Sequence, residues 1–388
     1  MASTLLFAPA AYGESCPTWG PGEQIGHLDN EDVDESSGLA DSWLRGDILW
    51  THNDSGDLPR LFLILKEDAR IISEIRLEGA QNIDWEDMAI APCEPGDETP
   101  CIYVGDIGDN LARYSHRTIY RFAEPELSDP IPAQITIETF DRLDFVYPDG
   151  PRDAEVLLVH PKTSEIYVIE KSSAETSHVY RIPANFNEPE PIEAELIATL
   201  SFESGVAFGR MTTAGDISPD GREFTLRTYL HLYVYCAGED DFESAFGSRP
   251  EPINQRPLTI QGEALTYDRQ DGALWLTSER TPAPLIRVPP RETREIPPED
   301  EGDIGLEQAD PEPDFESFPD AEPVSEPDVR PVPVDSAASK EESSSCTCAT
   351  QSVSRRSGIL PMLIMGLVWV WRMKRRFSIT LEEPEIHA

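Results

Sequence analysis

A unit of about fifty residues recurs along the chain, and this repeat limits the fold more than any other feature of the sequence. Each copy begins with acidic residues beside a short strand, and a second strand with an aromatic or aliphatic centre follows. The five copies begin at Glu35–Ala40, Asp84–Ala89, Asp153–Leu158, Asp216–Gly221 and Gly262–Tyr267. Short strands in units of this length, separated by turns, are typical of a β-propeller, where neighbouring blades supply the core that one blade lacks.

The remaining strands of each copy follow from its apolar runs. Second strands are predicted at Asp47–Thr51, Cys101–Val104, Glu165–Ile169, Glu223–Leu226 and Ala273–Leu276. Third strands are predicted at Leu61–Leu65, Thr118–Phe122, His178–Ile182 and Leu285–Val288, and fourth strands at Ile72–Leu77, Ile135–Phe140 and Glu195–Leu200. We therefore expect an all-β propeller with five blades. A sixth blade, or one completed by the N-terminal segment, stays open, and a β-sandwich is the competing fold.

Composition divides the chain into five parts. Residues 1–15 resemble a truncated secretory signal, with an apolar run but no basic start. Residues 16–290 carry the propeller, and residues 291–357 are rich in Pro, Glu, Asp and Ser, so we expect them to form a disordered stalk. Residues 358–376 combine an apolar run, a predicted short helix, with a basic cluster, and residues 377–388 form a tail.

The C-terminal part predicts attachment to a membrane. Gly358–Trp371 is apolar but shorter than the span of about 20 residues that usually crosses a bilayer. Arg372, Lys374, Arg375 and Arg376 follow it and would be held on the cytoplasmic side. A motif containing Cys346 and Cys348, this hydrophobic segment and the basic cluster together resemble the myxobacterial C-terminal sorting tail. That resemblance implies cleavage near the two cysteines and anchoring at the cell surface, although residues 377–388 extend past the point where such tails stop. Simple single-pass anchoring is the alternative.

The net charge limits the partners that this chain can bind, and the cysteine spacing indicates its cellular compartment. The chain has 31 basic and 73 acidic residues and a net charge of −42, which excludes nucleic acid as a partner because its binding relies on Lys and Arg. Cys93 and Cys101 flank a loop between two predicted strands and suit a local disulfide, and Cys16 with Cys236 is a second candidate pair. Disulfides would place the domain in an oxidising compartment.

Acidic residues gather at the strand ends that a propeller brings to one face. The connections into first strands carry Glu35, Asp84, Glu86, Asp153, Glu155, Asp216 and Glu263. The loops between second and third strands carry Asp54, Asp57, Asp106, Asp109, Glu170 and Lys171. Two of these loops share the pattern Asp-x-Gly-Asp, in which glycine permits a tight turn. Since carboxylate and carbonyl oxygens are the ligands that Ca²⁺ prefers, we predict a calcium-binding rim. Asx-turns that cap loop backbone are the alternative role for these residues.

The motifs Glu35–Ala40, Trp50–Gly56, Asp84–Ala89, Tyr103–Asn110 and Ile119–Pro125 resemble secreted bacterial propellers of the phytase-like and esterase-like superfamily. The resemblance covers residues 31–290 and implies a propeller in a secreted setting. A phytase-like activity would place Ca²⁺ ions on a phosphate ester, with a metal-bound water as nucleophile. Lys171, Arg210 and Arg227 are the candidate anion-binding residues for that reaction.

The sequence thus predicts an exported, surface-anchored propeller that binds Ca²⁺ and recognises an extracellular ligand or protein. A Ca²⁺-dependent hydrolase of phosphate esters is the alternative function. A structural propeller without metal is the third.

Overall fold

The computed structural model describes residues 16–28, 30–237, 241–253, 259 and 261–291. The predicted signal-like segment, stalk, hydrophobic segment and tail lie outside these residues, except for Arg291. Within the described ranges, no helix has the length and apolar character needed to cross a membrane. The helical segments found there are two short 3-10 helices, Ala207–Gly209 and Phe242–Gly247.

The described residues form 22 strands. In chain order they are β1 (Glu23–Leu28), β2 (Ser36–Asp41), β3 (Ile48–Asn53), β4 (Arg60–Leu65), β5 (Ile71–Leu77), β6 (Trp85–Pro92), β7 (Pro100–Asp106), β8 (Arg117–Ala123), β9 (Gln134–Ile137), β10 (Asp141–Val146) and β11 (Ala154–Val159). They continue as β12 (Ile166–Glu170), β13 (Thr176–Ile182), β14 (Ile192–Glu193), β15 (Glu195–Ser201), β16 (Thr212–Ile217), β17 (Glu223–Thr228), β18 (Leu232–Cys236), β19 (Glu251–Ile253), β20 (Gly262–Tyr267), β21 (Leu274–Ser278) and β22 (Ala283–Val288).

These strands build five sheets, each an antiparallel blade of four strands with short additions at two outer edges. In order from the inside, the blades are β2-β3-β4-β5, β6-β7-β8-β10, β11-β12-β13-β15, β16-β17-β18-β19 and β20-β21-β22-β1. Each innermost strand contacts the innermost strands of the two neighbouring blades, so that β2, β6, β11, β16 and β20 form a closed ring. The predicted five-bladed propeller is confirmed.

The ring is closed by the N-terminal segment, one of the arrangements that the sequence left open. β1 pairs antiparallel with β22 and supplies the outer strand of the fifth blade. A disulfide joins Cys16, just before this strand, to Cys236 at the end of β18 in the fourth blade. The predicted Cys93–Cys101 disulfide is also present, with a Cα–Cα distance of 4.9 Å.

The core lies between the blades. The apolar side chains form five clusters, and each cluster draws its strand residues from two neighbouring blades. Trp50 of the first blade and Trp85 of the second, for example, share one cluster and are both fully buried. All six residues of β2, β11 and β20 are buried, because the inner strands are covered on both faces. The expectation that neighbouring blades complete each other's core is confirmed.

Two predicted strand assignments are wrong. The segment predicted as a fourth strand, Ile135–Phe140, contains β9, which pairs in parallel with β5 of the first blade. The fourth strand of the second blade is β10, whose Leu143 and Phe145 fill the next cluster. In the fourth blade, the strand predicted to begin at Asp216 begins at Thr212. Asp216 therefore lies at the opposite end of β16 from the predicted rim.

Candidate metal centre

The same irregularity occurs at the start of every innermost strand. In the second blade Trp85 pairs with Asp106 and Asp87 pairs with Gly105, so that Glu86 has no partner across the strand pair. The residues skipped in this way in the five blades are Ser37, Glu86, Glu155, Thr213 and Glu263. Such β-bulges redirect one side chain and are frequent beside functional sites. Three of the five bulged residues are glutamates, and all three are among the predicted metal ligands.

The hydroxyl residues at the other two bulges link neighbouring blades. Ser37 donates a hydrogen bond of 2.7 Å from Oγ to the carbonyl of Glu86, and Thr213 donates one of 2.8 Å from Oγ1 to the carbonyl of Gly262. These bonds fix the bulges of the first and fourth blades against the next blade. The acceptors are the carbonyl of Glu86 itself and that of Gly262, the residue before Glu263, so both bonds hold the backbone beside a bulged glutamate.

A second set of equivalent positions follows the second strand of the blades. The backbone N–H of Asp54, Lys171 and Glu279 donates to the carbonyl of Glu35, Asp153 and Gln261, at 2.9, 2.9 and 3.1 Å. Each of these residues thereby lies beside the start of its own innermost strand. The connections into the innermost strands and the loops between second and third strands share this face, which we call the rim face.

Six carboxylates meet at the rim face. We define the acidic cluster as Asp54, Asp84, Glu86, Asp153, Glu155 and Glu263. In Asp54, Asp84 and Glu86, one carboxylate oxygen of each lies within 4.8 Å of the others. Glu86, Glu155 and Glu263 are 3–5% exposed, and Asp54 and Asp84 are 6% and 9% exposed. The cluster therefore combines strong negative charge with little water to screen it.

Burial and mutual repulsion raise the pKa values of Asp84, Glu86, Asp153, Glu155 and Glu263. Burial, then the charge of Asp54, raises the pKa of Asp84 to about 7. Burial, then the charges of Asp54 and Glu155, raises the pKa of Glu86 well above its usual value. The pKa of Glu155 is raised for the same first reason, and its Oε2 has no hydrogen-bond partner in the described part of the chain. Buried carboxylates in this condition gain stability from any cation that reaches them.

The loop Asp106–Asp109 closes over one side of the cluster. A Cβ on Gly108 would lie 2.1 Å from Glu86 Oε1 and 2.8 Å from Asp84 Oδ2, so a larger residue there would displace both carboxylates. Asp106 accepts hydrogen bonds of 2.8 Å from Arg117 and from the N–H of Asp84. Its carboxylate thus holds the loop rather than facing the other acids.

The two carboxylate oxygens of Asp109 have different surroundings. One of its oxygens, Oδ2, accepts hydrogen bonds of 2.8 Å from the N–H groups of Arg113 and Tyr114. Its own N–H donates to Asp153 Oδ1 at 2.8 Å, while its buried Oδ1 has no partner among the described residues. Glu35 is half-buried at the edge of the rim face, where its backbone forms an isolated antiparallel β-bridge with Glu279.

The three candidate anion-binding residues differ in their surroundings. Lys171 lies within the acidic cluster and pairs with Glu155. Arg210 donates to the carbonyls of Ser173, Ala174 and Ser204 at 2.8–2.9 Å. Arg227 is 1% exposed and donates to the carbonyls of Ala264 and Thr277 at 2.6 Å. Both guanidinium groups join loops or blades, and Arg227 also lies near Glu263, whereas Lys171 pairs directly with a carboxylate of the cluster.

The sequence did not predict Glu279 or Tyr229 as part of this face. Glu279 is 4% exposed and accepts a hydrogen bond of 2.8 Å from Gln261. The Tyr229 ring lies 5.1 Å from the Lys171 ammonium. Both residues follow directly after a second strand, the position of Asp54 and Lys171, so aligning the strand ends of the copies would have found them.

No protein-family model matches this sequence. No curated protein matches it either. Among solved structures, an oxidoreductase (glucose dehydrogenase) from Thermus thermophilus is similar over 69% of this chain and 99% of its own, with 12% identity and a TM-score of 0.37. The Dos1 propeller is similar over 63% of this chain and 55% of its own, with 10% identity and a TM-score of 0.31. Similarity at this level does not bear on the function.

Proposed function

We propose that this chain is an exported, surface-anchored propeller that binds Ca²⁺ at the acidic cluster and uses the rim face for recognition. One observation carries the proposal: oxygens of Asp54, Asp84 and Glu86 lie within 4.8 Å of one another, on segments from two neighbouring blades. Ions of the size of Ca²⁺ bind six to eight oxygens at about 2.3–2.6 Å. Three converging carboxylates supply part of such an oxygen set.

The raised pKa values support a cation at this place. Carboxylates forced together in a buried site lose free energy when they ionise, and a divalent cation removes that cost. The ligand set contains oxygen only, which favours a hard ion such as Ca²⁺ over zinc. Asp109, whose N–H donates to Asp153 of the cluster at 2.8 Å, lies beside the cluster and extends the set of oxygens.

Apolar residues around the cluster support recognition. Of the seven large hydrophobic side chains that are exposed in the described ranges, five lie on the loops of the rim face: Leu58, Ile83, Leu111, Val206 and Leu230. They are 41–53% exposed. Exposed apolar residues gathered on one face are characteristic of interaction sites. The combination of a metal centre and an apolar surround suits a protein or extracellular ligand as partner.

The proposal of export and anchoring rests on features outside the acidic cluster. Two disulfides join Cys16 to Cys236 and Cys93 to Cys101, and such bonds persist in oxidising compartments. Protease treatment of intact cells should remove the propeller if it is displayed outside. Protection of the propeller in intact cells, with cleavage only after lysis, would contradict surface display.

Calcium binding is tested by thermal unfolding of the full chain with Ca²⁺ and with chelator. A ligand at 100 times its Kd adds about 2.7 kcal/mol, which corresponds to a rise in Tm of roughly 5–10 °C for a domain of this size. The rise should disappear in Glu86→Gln, whose side chain is in the cluster, and persist in Glu188→Gln, whose side chain is exposed. An unchanged melting curve of the native chain at ~1 mM Ca²⁺, a calcium concentration in the range that extracellular modules bind, would refute the metal centre.

The phosphoesterase stays an alternative prediction. It needs cationic groups that hold phosphate beside the metal, whereas Arg210 donates to backbone carbonyls and Arg227 donates to two carbonyls and to Thr259 Oγ1. Assays with p-nitrophenyl phosphate and phytate in the presence of Ca²⁺ separate the two functions. Turnover that is lost in Glu86→Gln would favour the enzyme.

A further inference from the structure

We propose that Lys171 fills a second cation position in the acidic cluster, so that the native chain takes one divalent ion where the carboxylates alone would take two. The inference rests on the proposed function, because it concerns the number of ions at the same site. It assigns to Lys171 a role that differs from anion binding. The ammonium would act as a permanent, covalently tethered counter-ion.

The cluster has two halves of different character. Asp54, Asp84 and Glu86 form the half whose oxygens lie within 4.8 Å of one another. Asp153, Glu155 and Glu263 form the other half, and Lys171 lies in it. Lys171 forms its ion pair with Glu155 of this half. Each half thus contains three carboxylates, but only the second half contains an ammonium.

Lys171 is held in place from several sides. Its N–H donates to the carbonyl of Asp153 at 2.9 Å, and its Nζ pairs with Glu155 Oε1. The ammonium also lies 5.1 Å from the centre of the Tyr229 ring, within range of a cation–π interaction. Its side chain is 7% exposed and that of Glu155 is 5% exposed. A buried ammonium with these contacts occupies its position as a bound ion would.

The pseudo-symmetry of the propeller also supports the role of Lys171 as a tethered cation. Lys171 and Asp54 occupy equivalent positions, since each follows the second strand of its blade and donates its N–H to the residue before the first strand. The first blade therefore presents a carboxylate at the position where the third blade presents an ammonium. Glu155 Oε2 has no hydrogen-bond partner among the described residues, so this half keeps an oxygen available to a positive group.

Replacing Lys171 by methionine should therefore create a second ion site. The change removes the charge and keeps most of the side-chain volume, so that Asp153 and Glu155 lose the ammonium beside them while Glu263 keeps the Arg227 guanidinium nearby. Isothermal titration of the full chain with CaCl2, together with native mass spectrometry, counts the ions. We expect one high-affinity ion for the native chain and two for Lys171→Met. Lys162→Met is the matched control, because Lys162 is exposed and contacts the carbonyl of Asp220 on another part of the molecule.

A second variant keeps the test decisive if Lys171→Met folds only with calcium. The double variant Lys171→Met with Glu155→Gln removes the pair together and should return the count to one ion. Two ions in the native chain, or one ion with unchanged affinity in Lys171→Met, would overturn the inference while leaving the calcium site intact. No binding to the native chain would instead overturn the proposed function.

Discussion

At the scale of single residues, the site depends on carboxylates that the fold brings together and keeps dry. Asp106 and Asp109 come from one Asp-x-Gly-Asp loop, yet Asp106 is neutralised by Arg117 at 2.8 Å while Asp109 keeps one oxygen without a partner among the described residues. The same residue type in the same motif thus has two roles. The difference comes from the partners within the same segment: the Arg117 side chain binds Asp106, whereas the backbone N–H groups of Arg113 and Tyr114 bind only one oxygen of Asp109.

Gly108→Ala should weaken calcium binding without unfolding the protein. The new methyl carbon would collide with Glu86 Oε1 at 2.1 Å and displace the carboxylates from their common position. We expect a loss of tenfold or more in calcium affinity, which corresponds to at least about 1.4 kcal/mol, measured by isothermal titration. Gly205→Ala is the control, since a Cβ there meets open space. Equal affinities in the two variants would show that the loop does not lie over the ion.

Glu223 should make stability fall as the pH rises. This side chain is 8% exposed at the far face of the propeller, and burial raises its pKa to about 7. Between its unfolded pKa near 4.5 and this value, the folded state binds more protons than the unfolded state, so the free energy of unfolding decreases with pH. The contribution is at most about 3 kcal/mol.

Urea unfolding at pH 5 and pH 8, in chelator, checks the Glu223 prediction. Glu223→Gln should reduce the difference between the two pH values. Glu165→Gln, an exposed residue just before the second strand of the third blade, should leave it unchanged. An identical pH dependence in all three proteins would contradict the assignment.

At the scale of elements, one bulge repeated in five blades redirects one side chain at the start of each innermost strand. The bulge is invisible in the sequence, because it is defined by which residue of the second strand lies opposite. The pairing of strands at the outer edges of the blades also depends on tertiary contacts. β9 pairs in parallel with β5 because Ile135 and Ile137 pack on the cluster between the first and second blades.

The two disulfides should differ in their contribution to stability. Loop-closure entropy gives about 2–3 kcal/mol for a separation of 8 residues and about 5 kcal/mol for one of 220. The longer bridge also lies where β1 closes the ring. Replacing Cys16 and Cys236 by serine should therefore lower the free energy of unfolding more than replacing Cys93 and Cys101. Urea denaturation of the two double variants measures both, and an equal or reversed loss would contradict the argument.

At the scale of the whole molecule, a buried acid joins three blades. Asp87 is fully buried and accepts hydrogen bonds from the N–H groups of Met88, Leu157 and Gly215 at 2.9, 3.0 and 3.3 Å. These donors belong to the second, third and fourth blades. The carboxyl group thus stabilises the arrangement of the blades around the channel.

Asp87→Ala should destabilise the propeller by about 2–4 kcal/mol, because buried N–H groups lose their acceptor. Calcium affinity per folded molecule should change little, since Asp87 lies outside the acidic cluster. Asp97→Ala, on the exposed loop between Cys93 and Cys101, is the control and should change stability by less than about 0.5 kcal/mol. A loss of calcium binding with unchanged stability would show that Asp87 is a ligand instead.

The sequence by itself determined the class of fold, the number of visible units and one disulfide. Strand propensity, a period of about fifty residues and apolar runs can be recognised along the chain without knowing which segments contact one another. The local Cys93–Cys101 pair and the collection of acids at strand ends were readable for the same reason. These features led to the rim before any contact was known.

Only the tertiary structure decided which acids meet. It placed Asp216 at the far end of β16, bound Arg210 and Arg227 to carbonyls, and added Glu279 to the rim face. The physical reason is that strand register, bulges and salt-bridge partners arise from contacts between segments far apart in the chain. A single sequence shows that acids are present, but the closure of the ring determines their neighbours and hence their charge, burial and chemistry.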